Sequence, residues 1–246
     1  MFIEQKVAFG QYMARFYKEL QATTPQLEEY IRRGTEKAIA YAPARMIDEA
    51  ERMFLKYLRA DVKKSDDENA PTDAYDLPMM LVAMARDVTP TGRDWNRQIA
   101  DAAPFVFPDD PSERVFKVKT IASDIRVQIA IFAAQEATAR SIAAQFLLFV
   151  DAVENRRFYA DYEKWGFHSR WPCVLESPEA FAPVVQTEAD NLTILAIDLT
   201  LKCTLPLFFA PKEWEENDGQ GIPGDKHDPA GFPLVQVVNK DGKAVK

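Results

Sequence analysis

Four side chains of the sequence could together bind a zinc ion: His168, Cys173, Cys203 and His227. Structural zinc sites usually take their ligands as closely spaced pairs, such as two cysteines separated by two to four residues. The sequence contains no such pair, which favours reduced thiols and surface imidazoles over a metal centre. A Ser-His-Asp triad would have to use one of the same two histidines, and both lie among turn-forming residues, so this kind of catalysis is not expected.

Three glycines match the spacing of a dinucleotide-binding loop: Gly219, Gly221 and Gly224. That loop binds a pyrophosphate only when a strand precedes it and a helix follows, because the helix N-terminus meets the phosphates. Here the polar residues EWEEND precede the glycines and Pro223 lies between them. A turn-rich loop is therefore favoured, and no cofactor is expected.

Neighbouring carboxylates occur at 66–68, 109–110 and 215–216. Paired carboxylates can bind magnesium or carry out acid–base chemistry. Each group lies in a polar stretch flanked by proline, which favours solvated charge. Because no spaced catalytic set accompanies them, we expect a protein that is not an enzyme and holds no metal.

Composition limits the classes of partner. The chain has 246 residues, of which 47% are hydrophobic, and a net charge of -8. This is enough apolar material for a substantial core, and the negative charge argues against a general affinity for nucleic acid. With only two cysteines, no signal-peptide pattern at the start and no apolar run of about 20 residues, we expect a cytoplasmic setting without a membrane anchor.

The second half of the chain has the clearest periodicity. From Asp124, DIRVQIAIF alternates apolar and polar residues as a half-buried strand does. A helix is predicted next, with Ile142, Phe146, Phe149 and Val153 on one face. NLTILAIDLTLKCTLPL then predicts a long return strand, with a β-hairpin formed by residues 183–187 before it.

The first hundred residues read mainly as helices. An amphipathic helix is predicted at 5–20, and a short helix that Thr24 and Pro25 open and Gly34 closes. The other predicted segments are a helix at 43–60, an exposed connection at 63–76, a short apolar helix or buried segment in LPMMLVAMARDV, and an extended link in PFVFPDDPSERVF.

These patterns predict an α+β fold. A helical N-terminal part is followed by a mainly antiparallel sheet with a long helix packed on one face. The predicted parts are 1–103 (helical), 104–211 (α+β core) and 212–246 (irregular arm).

Two further apolar stretches each have two interpretations. The aromatic residues within 155–191 are typical of a loop that packs over the sheet, or of an interface. The segment LVQVV near the end could add an edge strand or reach onto a neighbouring subunit. The candidate interface residues are Phe158, Tyr159, Tyr162, Trp165, Phe167, Trp171, Leu234, Val235 and Val237.

The order DIRVQIAIF, ATARSIAAQFLLFV and NLTILAIDLTLKCTLPLFF resembles the tail-terminator and neck-completion proteins of tailed bacteriophages, over about residues 115–210. In that group a small α+β unit with a helix against a sheet assembles into a ring that closes the tail tube and joins it to the head. The resemblance implies a non-enzymatic virion protein assembled in the host cytoplasm. Its partners would be copies of itself, in a hexameric ring, and other tail or neck proteins such as tube, sheath or connector.

Such a ring would let DNA pass through as cargo without binding it specifically, which fits the negative charge. No membrane partner is implied. Tail-tube initiators and baseplate proteins use related arrangements and remain alternatives. From other classes, a monomeric cytoplasmic adaptor and an enzyme of unrecognised type remain open; the adaptor should stay monomeric at high concentration.

Overall fold

The structure, a computed structural model, describes residues 3–42, 77–85, 87, 89–91, 102–111, 115–176, 181–186 and 191–209. These residues form an α+β fold of helices and a large mixed sheet. The α-helices are α1 (Ile3–Glu19), α2 (Pro25–Arg33), α3 (Thr35–Ala38) and α4 (Glu136–Asp151). The strands are β1 (Ile39–Tyr41), β2 (Met79–Met84), β3 (Thr89–Pro90), β4 (Ala103–Val106), β5 (Val115–Ala133), β6 (Arg157–Lys164), β7 (Phe167–Glu176), β8 (Val184–Val185) and β9 (Thr193–Phe209).

The two N-terminal helices form as their sequences predict. Helix α1 buries Phe9, Met13 and Phe16 on one face. Helix α2 begins after Thr24, whose side-chain oxygen accepts a hydrogen bond from the Leu27 backbone nitrogen at 3.2 Å. It ends at Gly34, which adopts φ 81°. The Thr24 side chain thus caps the first turn, and the Tyr17 hydroxyl contacts the backbone carbonyls of Tyr30 and Ile31 in the last turns.

The part predicted as helical also contains strands. Within LPMMLVAMARDV, Met79–Met84 form β2, a strand in which every side chain is buried, so the helical alternative is wrong for these residues. A strand buried on both faces shows no period of two, which is why the pattern was ambiguous. The predicted extended link contains β4, which pairs with β5. The helix predicted at 43–60 and the connection at 63–76 lie outside the described residues.

The strands join in the order β1-β2-β5-β9-β7-β6, with β3 and β4 also paired to β5 and β8 paired to β9. Strand β1 runs parallel to β2, whereas β2 pairs antiparallel with β5 from Met79↔Phe132 to Met84↔Val127. The predicted hairpin before the return strand is confirmed by the antiparallel pairs Val184↔Leu195 and Val185↔Ile194.

The chain divides into two compact units, each built from separate segments. Unit 1 comprises Met1–Thr89, Asp124–Phe158 and Cys173–Lys202. Unit 2 comprises Pro90–Ser123, Tyr159–Pro172 and Cys203–Lys246. The predicted three-part division of the chain stays a prediction.

Aromatic contacts join α1 to α4 in unit 1. The ring of Phe16 meets Phe146 edge-on at 5.0 Å, and Tyr12 meets Phe149 edge-on at 5.2 Å. A further buried cluster in this unit joins β2 to β5 and β9, with Met79, Phe132 and Ile194 among its members. Burying such large side chains is the main favourable contribution to folding.

The apolar face predicted for helix α4 is confirmed except at its C-terminal end. Ile142, Phe146 and Phe149 are buried, but the helix stops at Asp151 and a 3₁₀ turn follows at Val153–Asn155. Val153 is consequently 77% exposed, and its prediction as part of the buried face is wrong. None of the helices among the described residues is both long and apolar enough to cross a membrane.

Candidate functional site

The aromatic stretch predicted as a loop is a β-hairpin. Strands β6 and β7 are joined by Trp165 and Gly166, which have φ values of 52° and 82°. Two adjacent residues with positive φ make the tight turn whose twist matches that of paired strands. The loop prediction is therefore wrong. Glycine or asparagine normally indicates a turn of this kind in a sequence, whereas here the bulky Trp165 adopts the positive φ.

The hairpin places the predicted interface residues in three environments. Phe158 and Tyr162 are buried, and Phe158 lies against Tyr12 with ring centroids 5.0 Å apart. Tyr159 is exposed, with the guanidinium of Arg170 lying 4.9 Å from its ring centroid. The remaining three, Trp165, Phe167 and Trp171, are half-buried.

Those three half-buried rings belong to an aromatic cluster within unit 2. Trp165 stacks on Phe116 at 5.3 Å, and Trp171 stacks on Phe105 at 5.5 Å. Phe107 lies 5.6 Å from Phe167. Much of this aromatic surface is therefore used within the unit. Its role in an interface stays a prediction, as does that of Leu234, Val235 and Val237, which lie outside the described residues.

Three of the four residues considered for zinc lie in the part of the chain that the structure describes. Cys173 and Cys203 are buried and neither forms a disulfide bond, as predicted for Cys203, and His168 is exposed on β7. His227 and the three glycines of the predicted loop lie outside the described residues. No group of three metal-ligating side chains is present among the described residues.

The acidic pair at 109–110 is not simply solvated. Asp109 is exposed, but both of its carboxylate oxygens accept a hydrogen bond from the backbone nitrogen of His168, at 3.0 and 2.9 Å. Asp110 is only 4% exposed, so the prediction of solvated charge is wrong at this residue. Asp110 lies in the turn after β4, where its backbone nitrogen donates to the Phe107 carbonyl at 3.1 Å. The other two acidic groups lie outside the described residues.

An open apolar groove lies in unit 1 between α1 and the strands β1 and β2. We call it the α1 groove, and its volume is about 590 Å³. Its lining residues are Lys6, Val7, Gly10, Gln11, Ala14, Tyr41, Ala42, Val82 and Met84. Val7 and Tyr41 are 56% and 50% exposed, and Ile3 on the same helix is 69% exposed. Large apolar side chains grouped on an exposed surface are typical of a contact region.

The groove has a small number of polar groups at its edge. Lys6 supplies a cationic group among its lining residues, and the Tyr41 hydroxyl lies 3.5 Å from the Gly10 carbonyl oxygen. Burial raises the pKa of Tyr41 above its ordinary value of 10.0, so this hydroxyl, neutral at physiological pH in any case, stays protonated further into the alkaline range. The groove can therefore receive apolar side chains next to an anionic partner group.

A second exposed apolar feature lies at the end of α4. We call Leu148 and Val153 the α4 ridge; they are 72% and 77% exposed. Leu148 also lines a shallow depression of about 430 Å³, whose polar lining includes Glu19, Glu154 and Asn155. The carbonyl end of a helix carries partial negative charge, which adds to that of the two carboxylates.

Sequence reasoning missed both of these features, although the sequence carried a signal for the first. Ile3, Val7, Gly10 and Ala14 recur at spacings of four, three and four residues, which marks a second apolar stripe on α1. The aromatic face of the same helix has the stronger pattern. The exposure of Leu148 carried no such signal, because a leucine next to a buried helix face is commonly buried with it.

The chain was compared with known proteins. No protein-family model matches it, and no curated protein matches it significantly.

Proposed function

We propose that this chain is a non-enzymatic structural protein of a tailed-phage virion, which forms a ring at the neck or tail end and joins the tail tube or sheath to the head. The observation that carries this proposal is the exposed apolar surface at the α1 groove and at the α4 ridge. Single exposed apolar side chains are common on protein surfaces, whereas grouped ones are typical of a surface that another protein covers.

The fold is compatible with this proposal. The small α+β unit that the resemblance implies corresponds to the long helix α4 together with the long strands β5 and β9, which are neighbours in the sheet. We further infer that the complete chain follows the predicted order, with N-terminal helices added to a mainly antiparallel sheet. The N-terminal helix α1 would then supply one contact surface of the ring.

Charge supports the same proposal. A net charge of -8 suits a ring through which DNA passes without adhering, because like charges repel the phosphate backbone. Assembly would take place in the host cytoplasm, and the mature location would be the virion. Tail-tube initiator and baseplate roles are the nearest alternatives, since they need the same kind of surface.

The test is the mass of the purified protein, measured by light scattering over a concentration series and followed by negative-stain imaging. We expect a closed ring, with six subunits as the first candidate. A chain that stays monomeric and also fails to co-purify with tail or portal proteins would contradict the proposal and favour a monomeric adaptor.

A further inference from the structure

We propose that copies of this chain contact one another head to tail, with the α4 ridge of one copy seated in the α1 groove of the next. The inference rests on the proposed function, which requires contact between copies, and it names the two surfaces that make this contact. Both surfaces lie in unit 1, and they share no lining residue.

The two surfaces are complementary in polarity. Leu148 lies in the last turn of α4 and Val153 in the 3₁₀ turn after it, and these aliphatic side chains are exposed by 72% and 77%. The α1 groove is lined by the buried side chains of Val82 and Met84 and by the exposed side chains of Val7 and Tyr41. Gly10 and Ala14 keep the helix wall low, so that a neighbouring backbone can approach closely. Transfer of both ridge side chains from water into this groove would drive the contact.

The charges beside the two surfaces are also complementary. Lys6 lies in the wall of the groove, whereas Glu19 and Glu154 lie in the depression next to the ridge. The last turn of α4 contains no basic residue, so its carbonyl end keeps partial negative charge, although the nearby Arg156 pairs with Asp151 at 2.6 Å. A docked ridge would bring this negative end towards Lys6 of the neighbouring copy. Opposite charges at the edge of a contact fix its register and disfavour incorrect pairings.

A contact between two different surfaces leaves each copy with one free groove and one free ridge. Such heterologous contacts continue from copy to copy, and they close into a ring when the rotation between neighbours permits. A contact between two identical surfaces would stop at a dimer. The pairing of groove and ridge therefore supplies the kind of interface that a ring needs.

The experiment uses two variants that each damage one surface, Val7→Asp in the groove and Leu148→Asp in the ridge. Both positions are exposed, so circular dichroism and thermal unfolding should match those of the unmodified chain. Light scattering should show each variant as a monomer at concentrations where the unmodified chain assembles, with self-association at least about tenfold weaker. Ala137→Asp is the matched control, because this exposed residue lies three turns earlier on α4, and it should assemble normally.

Mixing the two variants makes the test specific. Val7→Asp keeps an intact ridge and Leu148→Asp keeps an intact groove, so the mixture should form a species of twice the 27.9 kDa chain mass and nothing larger. If instead the same surface met on both copies, the mixture would form no such two-chain species. If either aspartate variant fails to fold, Lys6→Glu and Glu154→Lys replace the pair: each should weaken assembly, and the variant carrying both changes should regain it.

Three results would overturn the inference. If Val7→Asp or Leu148→Asp assembles normally, the contact between groove and ridge is contradicted, but the proposed ring is not. If the mixture contains no two-chain species, the contact is contradicted as well. A strictly monomeric unmodified chain would also overturn it, and the proposed function would then depend on co-purification with tail or portal proteins.

Discussion

Asp109 binds the start of strand β7 through its side chain. Its two carboxylate oxygens lie 3.0 and 2.9 Å from the backbone nitrogen of His168. We expect Asp109→Ala to destabilise the protein by about 1 kcal/mol, because it leaves this backbone N–H to water. Asp109→Asn keeps one carbonyl acceptor and should therefore lose less unfolding free energy. Urea unfolding of both variants measures the difference, and equal losses would show that the side-chain acceptor does not contribute to stability.

Tyr12 and Tyr30 are both buried tyrosines with different hydrogen bonding. The Tyr30 hydroxyl donates to the Ala38 carbonyl at 3.0 Å, whereas the Tyr12 hydroxyl has no hydrogen-bond partner among the described residues. Tyr30→Phe should therefore cost about 1 kcal/mol of unfolding free energy. Tyr12→Phe should be neutral or stabilising, because it removes a buried polar group that is not satisfied. Thermal unfolding midpoints test both, and a clear loss in Tyr12→Phe would contradict this assignment.

Alkaline pH should destabilise unit 1. Burial raises the pKa of Tyr12 and of Tyr30 above the ordinary value of 10.0. These hydroxyls therefore stay protonated in the folded chain at a pH where the unfolded chain releases their protons. Their stabilising contribution is complete below pH 10 and falls as the pH rises above it, by about 1.4 kcal/mol per pH unit for each tyrosine. Urea midpoints at about pH 8 and pH 11 should differ less in Tyr30→Phe than in the unmodified chain.

Three glycines should respond differently to alanine. Gly34 and Gly166 have φ values of +81° and +82°, and an added Cβ would meet no atom within 4 Å at either position. Alanine at either position should lower the free energy of unfolding by about 1–2 kcal/mol, because a residue with a Cβ is strained at this φ. Gly10 lies inside α1, where a Cβ would be 3.6 Å from the Tyr41 hydroxyl, so Gly10→Ala should stabilise the helix by up to about 1 kcal/mol. Chemical denaturation measures the stability of all three variants. If Gly166→Ala were more stable than the unmodified chain, the positive φ at this turn would be contradicted.

Phe146 and Leu148 lie two residues apart on α4 but differ fully in exposure, at 0% and 72%. Phe146→Ala should cost about 3–5 kcal/mol, because it leaves a cavity beside Phe16. Leu148→Ala should change the stability of the monomer by no more than about 0.5 kcal/mol. Unfolding should be measured at a concentration low enough to avoid self-association. A large loss in Leu148→Ala under those conditions would show that the residue is packed within its own chain.

Local patterns predicted most of the helices, the strand β9 and the second half of β5. Phe9, Met13 and Phe16 recur at helical spacing, and the cap of α2 follows from Thr24 and Pro25. The two turn residues of the hairpin could not be predicted in the same way, because Trp165 has no local preference for positive φ. Its ring stacks on Phe116, a residue distant in the sequence, and such a contact can compensate for a strained backbone.

The candidate site was less accessible to sequence reasoning than the fold. The stripe containing Val7 can be read from the spacing of α1, but the groove beside it exists only because β1 and β2 bring Tyr41 and Met84 next to that stripe. Cys173 illustrates the same limit, since nothing in its local sequence indicates that it is a fully buried thiol.

The sequence by itself determined the α+β class, the bounds of α1 and α4 to within a few residues, the strand β9 and the second half of β5, because hydrophobic periodicity and helix caps act over short distances. The tertiary structure alone decided that β2 is a strand and that Val153 lies outside the buried face. It also decided which apolar side chains remain exposed. These outcomes depend on partners far apart in the chain: β2 is fixed by its pairing with β5, and the exposure of Leu148 reflects which residues of α1 cover α4.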